Sequence, residues 1–247
     1  MGADEDLIAE IRRVLVAHAD PERAAGQQAY MKSTLPYHGL TSPTLRTALR
    51  PVLAAHRLPD ADAWRAAISA LWDGATHREE WYAAIAVWRH RFYRTWATEP
   101  AEASLALLRH LVVTGAWWDV VDELAQHGFG PILAAHRATL TPVARAWSRE
   151  ENLWLRRVAI IGQNPHRAAT DTNLLAFAIE GSIDDRDFFA RKAIGWALRE
   201  YAKTDPAWVG AYVRTHADRL SALSVREATK HLPHTAGTPA SPPARNA

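Results

Sequence analysis

Apolar residues recur along most of this chain at the spacing of an α-helix, and this periodicity restricts its fold more than any other feature. Leu105, Leu108 and Val112, for example, are three and four residues apart and so share one helical face. Nowhere do apolar and polar residues alternate for long enough to predict a β-strand. The chain is therefore predicted to be all-α. One long amphipathic helix is predicted from Trp81, Ile85, Trp88, Phe92 and Trp96.

Short segments rich in proline, glycine and small polar residues separate the helical stretches, which predicts about a dozen helices of roughly 10–18 residues. Ser42 and Thr141 each precede a proline, which favours a helix with the hydroxyl residue as its N-cap. Ser182 is predicted to cap a further helix, with Asp185 completing a capping box. Residues 128–131, which include two glycines and a proline, are predicted to end a helix.

The short connections also predict the tertiary arrangement. Helices joined by tight turns pack as antiparallel neighbours. A long series of such pairs predicts stacked helical repeats, in which each pair buries its apolar face against the next. Residues 1–232 are predicted to form one such domain. The segment 233–247, rich in proline and small residues, is predicted to be a disordered tail.

The composition disfavours several classes of protein. The absence of cysteine excludes a disulfide framework and thiolate chemistry, and it fits a reducing cytoplasm. No uncharged apolar run approaches the ~20 residues of a membrane helix, and the first residues do not resemble a signal peptide, so no membrane partner is expected. The histidines form no metal-binding spacing, and neither a glycine-rich phosphate loop nor a nucleophile elbow occurs. We therefore expect no metal and no nucleotide cofactor.

Trp118 and Asp122 are the first candidate site residues. They are four apart, so they lie on one face of a helix that is predicted to start near Trp117. An indole face attracts a cation by ~0.5–2 kcal/mol, and a carboxylate one turn away adds a direct charge interaction. The pair therefore indicates either a site for a cationic group or a core tryptophan beside a solvated acid.

Arg156 and Arg157 are the second candidates, because they interrupt an otherwise apolar helix. Both arginines cannot easily face solvent if Trp154 and Val158 face the core. A partly buried arginine requires a carboxylate or a phosphate as its partner. The segment therefore predicts either a structural ion pair or a phosphate contact.

A stripe of cations forms the third candidate, with Lys192, Trp196, Arg199 and Lys203 at positions i, i+4, i+7 and i+11 of a predicted helix. The whole chain carries a net charge of only +2, but residues 186–232 contain nine basic and five acidic residues. The stripe is either a solvated face, with lysine stems covering the indole, or a surface for nucleic acid.

Three segments together resemble the alkylpurine DNA glycosylase D family of bacteria. They are 117–122 (Trp-Trp-Asp-Val-Val-Asp), 152–157 (Asn-Leu-Trp-Leu-Arg-Arg) and 188–203 (Phe-Phe-Ala-Arg-Lys-Ala-Ile-Gly-Trp-Ala-Leu-Arg-Glu-Tyr-Ala-Lys). Shorter matches occur at 29–32, 71–73 and 225–231, so that the resemblance runs in order along nearly the whole chain. The segment 188–203 is the most specific of these motifs.

The resemblance implies a superhelix of HEAT-like repeats with a concave, basic face that binds double-stranded DNA. It implies hydrolysis of the N-glycosidic bond of N7- and N3-alkylated purines, as the first step of base excision repair, without a metal, a cofactor or a tight pocket for a flipped base. It also implies a monomer. On this chain the family's site residues correspond to Trp118, Trp196, Asp122 and Arg157, with Tyr30 near the pocket as a substrate-binding residue. The candidates for phosphate contacts are Arg186, Lys192, Arg199, Lys203 and Arg156.

Two alternatives stay open at this point. The chain could be a non-catalytic helical scaffold for DNA or protein, in which case Trp118, Asp122, Arg157 and Trp196 would point in different directions. It could also be a member of the family that is specialised for bulky adducts, with a site open to the DNA groove.

Overall fold

The computed structural model describes residues 3–232, and all regular secondary structure in this range is helical. The fifteen α-helices are α1 (Ala3–Ala17), α2 (Pro21–Met31), α3 (Ser42–Ala55), α4 (Ala61–Asp73), α5 (Arg78–Arg89), α6 (Arg94–Thr98), α7 (Glu102–Gly115), α8 (Trp118–Leu124), α9 (Gly130–Ala135), α10 (Arg137–Trp147), α11 (Leu153–Ile161), α12 (Thr172–Glu180), α13 (Phe188–Ala202), α14 (Pro206–Thr215) and α15 (Ala222–Ala228). Two 3₁₀-helices lie at Arg91–Tyr93 and Asn164–Ala169, and a π-helix lies at Ala125–Phe129. The prediction of an all-α chain is confirmed. The predicted disordered tail falls outside the described residues.

Most helices stack in two layers. In layer A, helices α5, α8, α11, α13 and α15 contact one another in this order. In layer B, α4 contacts α7, and α10 contacts α12. Three contacts between the layers join them: α4 packs on α5, α7 packs on α8, and α10 packs on α11. This arrangement is a superhelix of stacked helix pairs, as predicted. The concave basic face stays a prediction.

Large aromatic and aliphatic side chains fill the space between the layers. Trp64, Trp88 and Phe129 are almost fully buried, and the two indole rings lie 4.8 Å apart between their centroids. Most buried apolar residues form one continuous core from α1 to α15. No helix in the described range is both long and apolar enough to cross a bilayer.

Several predicted helix boundaries were wrong. At two of them the capping hydrogen bond is accepted by a residue other than the predicted one. Thr41, not Ser42, caps α3, and its hydroxyl accepts the backbone N–H of Thr44. Asp187, not Ser182, caps α13, since its carboxylate accepts two backbone N–H groups in the first turn. Helix α10 begins before its predicted cap and contains Pro142, which is tolerated because the carbonyl four residues earlier belongs to an exposed residue.

Residues 128–131 do not end a helix. Their two glycines instead allow other parts of the chain to pack closely against it. The π-helix joins α8 to α9 through this segment without a break. A Cβ atom on Gly130 would lie 2.5 Å from the carbonyl oxygen of Gly162, and one on Gly128 would lie 2.9 Å from Leu108 Cδ1. Because glycine has only a hydrogen atom as its side chain, neighbouring segments can approach the helix closely at these two positions.

The predicted long helix through residues 81–96 is broken at His90, whose backbone is extended. The break turns Tyr93 into the core, where it is 1% exposed. Its hydroxyl donates to the carbonyl of His56 and accepts the backbone N–H of Leu58, both at 3.2 Å. Contacts with the end of α3, which are distant in sequence, therefore override the local periodicity.

Candidate active site

Three helices that neighbour one another in layer A line an open cavity of about 290 Å³. Helix α8 contributes two residues to its wall, α11 one and α13 the others. The lining residues are Trp118, Asp122, Arg157, Phe188, Phe189, Lys192, Trp196 and Arg199. The structure thus brings together the four residues that the resemblance singles out as the catalytic set, although they come from three segments of the chain.

Helix α8 presents Trp118 and Asp122 to the cavity from one face. Trp117 is the N-cap of this helix, so the first turn begins at Trp118, and Asp122 follows four residues later. The position of the helix start near Trp117 is as predicted. The acid therefore lies one turn beyond the indole, on the same side of the helix.

Arg157 of α11 holds the carboxylate of Asp122 in a two-point contact. Its Nε donates to Oδ1 at 2.6 Å and its Nη2 donates to Oδ2 at 2.8 Å. A third donor, Nη1, bonds the carbonyl of Phe189 at 2.8 Å. The arginine side chain is 4% exposed and the acid 15% exposed. This fork fixes the orientation of the carboxylate plane while one side of the acid still faces the cavity.

Burial raises the pKa of the Asp122 carboxyl, and the hydrogen bonds and charge of Arg157 oppose that rise. The nearby charges of Asp119 and Glu123 raise the pKa further. The two hydrogen bonds from the Arg157 guanidinium favour the ionised form of the carboxylate. The site therefore contains a poorly solvated anion.

Trp196 of α13 also lines the cavity. The guanidinium carbon of Arg157 lies 5.9 Å from the centroid of its ring. Its indole N–H donates to Glu200 Oε1 at 3.3 Å, which restrains rotation of the ring. The Asp122–Arg157 pair is therefore bordered by the indoles of Trp118 and Trp196.

Two phenylalanines complete the wall, and sequence reasoning assigned them no role. Phe188 is 57% exposed and packs edge-on against Phe189. Phe189 in turn packs against Trp117 and Trp154, with ring centroids 5.3 and 5.1 Å apart. The only sequence signal was their position at the start of the specific 188–203 motif.

Lys192 and Arg199 line the cavity on the side of α13, and both bond a single carboxylate of α15. Lys192 Nζ lies 2.7 Å from Glu227 Oε1, and Arg199 Nη1 bonds Oε2 of the same acid. Sequence reasoning gave Glu227 no role, although it lies in the 225–231 match.

The other predicted phosphate contacts lie away from the cavity wall. Lys203 pairs with Glu200 at 2.6 Å and is exposed. Arg156 bonds Asp185 at 2.8 Å, Ser182 and two carbonyls, so a DNA phosphate would compete with an internal ion pair. Arg186 is exposed and forms no ion pair or hydrogen bond with the residues that the structure describes. Their roles on DNA stay predictions.

Tyr30 lies near the end of α2 and is 75% exposed, outside the residues that line the cavity. Its predicted role as a substrate-binding residue near the pocket also stays a prediction. Within residues 3–232, no cluster of three or more acidic residues or histidines has the geometry to hold a metal ion.

A second ion pair anchors the first turn of α8 from its other side. Asp119 accepts hydrogen bonds from Arg78 Nη2 at 2.6 Å and from the hydroxyl of Tyr82 at 2.6 Å. The Tyr82 hydroxyl also lies 2.9 Å from that of Tyr37. Burial, followed by the charge of Asp119, raises the pKa of Tyr82, so it stays a neutral donor. Helix α8 is thus tied to α5 as well as to α11.

Comparison with known proteins agrees with the fold and the motifs. The family model for DNA alkylation repair enzymes matches residues 11–232. Among solved structures, the chain is similar to a predicted DNA alkylation repair enzyme from Enterococcus faecalis, with 33% sequence identity and a TM-score of 0.76. The match covers 87% of this chain and 96% of that one. No curated protein matches the chain.

Proposed function

Since the chain belongs to the family of DNA alkylation repair enzymes, we propose that it is a DNA glycosylase for cationic N7- and N3-alkylated purines in duplex DNA. One observation carries the proposal: Trp118, Trp196 and Asp122 line the same cavity, and Arg157 orients the acid. A non-catalytic scaffold would give no reason for two indoles and a poorly solvated carboxylate to converge.

The chemistry of the lesion suits such a site. Alkylation at N7 or N3 gives the purine a positive charge, so the base leaves as a neutral molecule with the electron pair of the broken C1′–N bond. No general acid needs to protonate it. The positive charge passes to the deoxyribose as an oxocarbenium ion. The faces of two indoles and one carboxylate stabilise that cation.

Asp122 would complete the reaction by accepting a proton from water. Each of its oxygens accepts one hydrogen bond from Arg157, which leaves a further lone pair on each for another donor. A water molecule bound there would attack C1′ to form the new C–O bond, and its proton would pass to the carboxylate. These steps require only the side chains and water, so we propose that no metal or cofactor takes part.

Lys192 and Arg199 are the candidates for phosphate contacts closest to this chemistry, because they line the cavity. Arg186, Lys203 and Arg156 would contact phosphates further from it, whereas Tyr30 would contact the substrate near the pocket. Contacts with phosphates position the duplex without reading its sequence. We further propose that the protein acts as a monomer on chromosomal DNA in the cytoplasm.

A second candidate function is excision of bulky N7 or N3 adducts. The exposure of Phe188 at the cavity wall favours it, since an aromatic ring at an open edge offers a surface for a large apolar substituent. Excision assays that compare a methyl lesion with a bulky one would distinguish the two substrate classes.

The direct test is release of free 7-methylguanine from methylated duplex DNA. We expect release by the unaltered protein and release slowed by about 10³-fold in Asp122→Asn, with DNA binding retained. Glu180→Gln is the control, because its carboxylate also pairs with an arginine, Arg219, but lies outside the cavity lining. Equal release by Asp122→Asn and the unaltered protein would exclude the proposed role of the carboxylate.

A further inference from the structure

Glu227 of α15 is the shared partner of both cations that α13 places in the cavity wall. Its Oε1 lies 2.7 Å from Lys192 Nζ, and its Oε2 bonds Arg199. The carboxylate is 14% exposed, and the hydrogen bond from Lys192, followed by the charges of its basic neighbours, lowers its pKa. Among the described residues, neither cation pairs with any other acid. Both cations therefore depend on one carboxylate for their ion pairs.

The packing of α15 on α13 determines where this carboxylate lies. A Cβ atom on Gly195 would be 2.6 Å from Glu227 Cβ and 3.1 Å from the carbonyl oxygen of Ser224. The hydroxyl of Ser224 also donates to the carbonyl of Arg191 at 2.9 Å. The two helices can approach this closely only because residue 195 lacks a side chain. Glu227 is thus held in place by backbone packing as well as by its ion pairs.

The charges around the cavity show why a second acid is needed. Arg157 already balances Asp122, so Lys192 and Arg199 would leave two unopposed positive charges beside the site. Those charges favour phosphate, but they repel an alkylated purine, which is a cation, and the oxocarbenium ion that follows it. The carboxylate of Glu227 neutralises one of these two positive charges.

We propose that Glu227 is a specificity-determining residue, which lets Lys192 and Arg199 hold the DNA backbone while the cavity still accepts a cation. This inference rests on the proposed glycosylase function. It implies that Glu227 weakens binding of undamaged DNA and strengthens binding of a cationic sugar or base. A merely structural acid would not affect these two properties in opposite directions.

The test uses two duplexes that differ only in charge: one has a cationic pyrrolidine ring in place of a deoxyribose, and the other has an uncharged tetrahydrofuran ring. We expect Glu227→Gln, which keeps the size of the side chain, to lower the preference for the cationic duplex roughly fivefold. Binding of undamaged duplex should tighten by a similar factor, with a dependence on salt steeper by about one unit. Single-turnover release of 7-methylguanine should slow roughly fivefold.

Lys192→Gln provides the opposite change, because it removes a positive charge from the same cluster. It should weaken binding of undamaged duplex and raise the preference for the pyrrolidine duplex. Glu180→Gln is the matched control, since Glu180 also lies between two basic groups, Arg219 and His216, but outside the cavity. Its binding and release should equal those of the unaltered protein.

The inference is overturned if Glu227→Gln leaves the preference for the cationic ring unchanged, or if binding of all three duplexes weakens together, as for a structural anchor of α15. Absence of release by the unaltered protein would instead refute the proposed function. The pyrrolidine preference would still measure the charge effect of Glu227 in that case, because it requires no catalysis.

Discussion

Helix α8 carries two aspartates, three residues apart, that pair with arginines on opposite sides. Asp119 joins α8 to Arg78 of α5, and Asp122 joins it to Arg157 of α11. The two arginines are about equally buried, and both acids lie mostly inside the protein. The pairs nevertheless differ in what occupies the remaining lone pairs of the carboxylate.

Asp119 makes a further hydrogen bond inside the protein, because the Tyr82 hydroxyl donates to its Oδ2 and Tyr37 extends that network. Asp122 instead borders the cavity and has lone pairs available to a substrate or to water. A buried ion pair is therefore a candidate catalytic group only where part of its hydrogen-bonding capacity faces open space. The same residue types otherwise serve to position a helix.

The largest expected difference between the two aspartates is in catalysis. We expect Asp122→Asn to slow release of 7-methylguanine by about 10³-fold, since it removes the charge that stabilises the forming cation and the acceptor of the water proton. Single-turnover assays with saturating protein would measure this. A loss of less than about tenfold would contradict the distinction between the two pairs.

Asp119→Asn should instead act chiefly on stability. Arg78 is buried and would lose its anionic partner, which costs about 3 kcal/mol and lowers Tm by roughly 10 °C. Thermal and urea unfolding would measure the change. Asp62→Asn, which breaks an exposed pair with Arg65, is the control and should change the free energy of unfolding by less than about 0.5 kcal/mol. Equal stability of the two variants would show that the Asp119 pair does not anchor α8.

The aromatic walls should contribute less than the acid. We expect Trp118→Ala and Trp196→Ala each to slow release about tenfold, because one indole face is worth ~1–2 kcal/mol to a desolvated cation. Trp208→Ala is a control outside the cavity, since that ring packs with Tyr201 and Tyr212. If both cavity variants react at the rate of the unaltered protein, the indoles only shape the site.

The smallest effect is on pH dependence, and it connects the two aspartates. Burial raises the pKa of Asp122, and the charge of Asp119 adds to this rise. The ionised acid is the active form, so release falls as the pH decreases through that pKa. Asp119→Asn removes a negative neighbour, which lowers the pKa and moves the acidic limb to lower pH. Rates between about pH 4 and pH 7, corrected for spontaneous base loss, would measure the shift. A shift to higher pH would contradict this coupling.

Local sequence determined the helical character of the chain and the shared face of Trp118 and Asp122. Both follow from the spacing of residues within one helix. The prediction of HEAT-like repeats came from the family resemblance. Spacing could not determine whether Arg157 pairs with an acid or a phosphate, because its partner lies 35 residues away on another helix. For the same reason it could not find Glu227, 35 residues from Lys192 and 28 from Arg199.

Tertiary structure alone decided which polar groups meet and where helices end. The stacking of α8, α11 and α13 forms the cavity and selects Asp122, rather than Asp119, to face it. Contacts with the segment that follows α3 break the helix at His90. The glycines at 128 and 130 are explained by the close approach of neighbouring segments and not by a reversal of the chain. The physical reason is that helical period is a property of neighbouring residues, whereas burial and pairing depend on how distant helices pack.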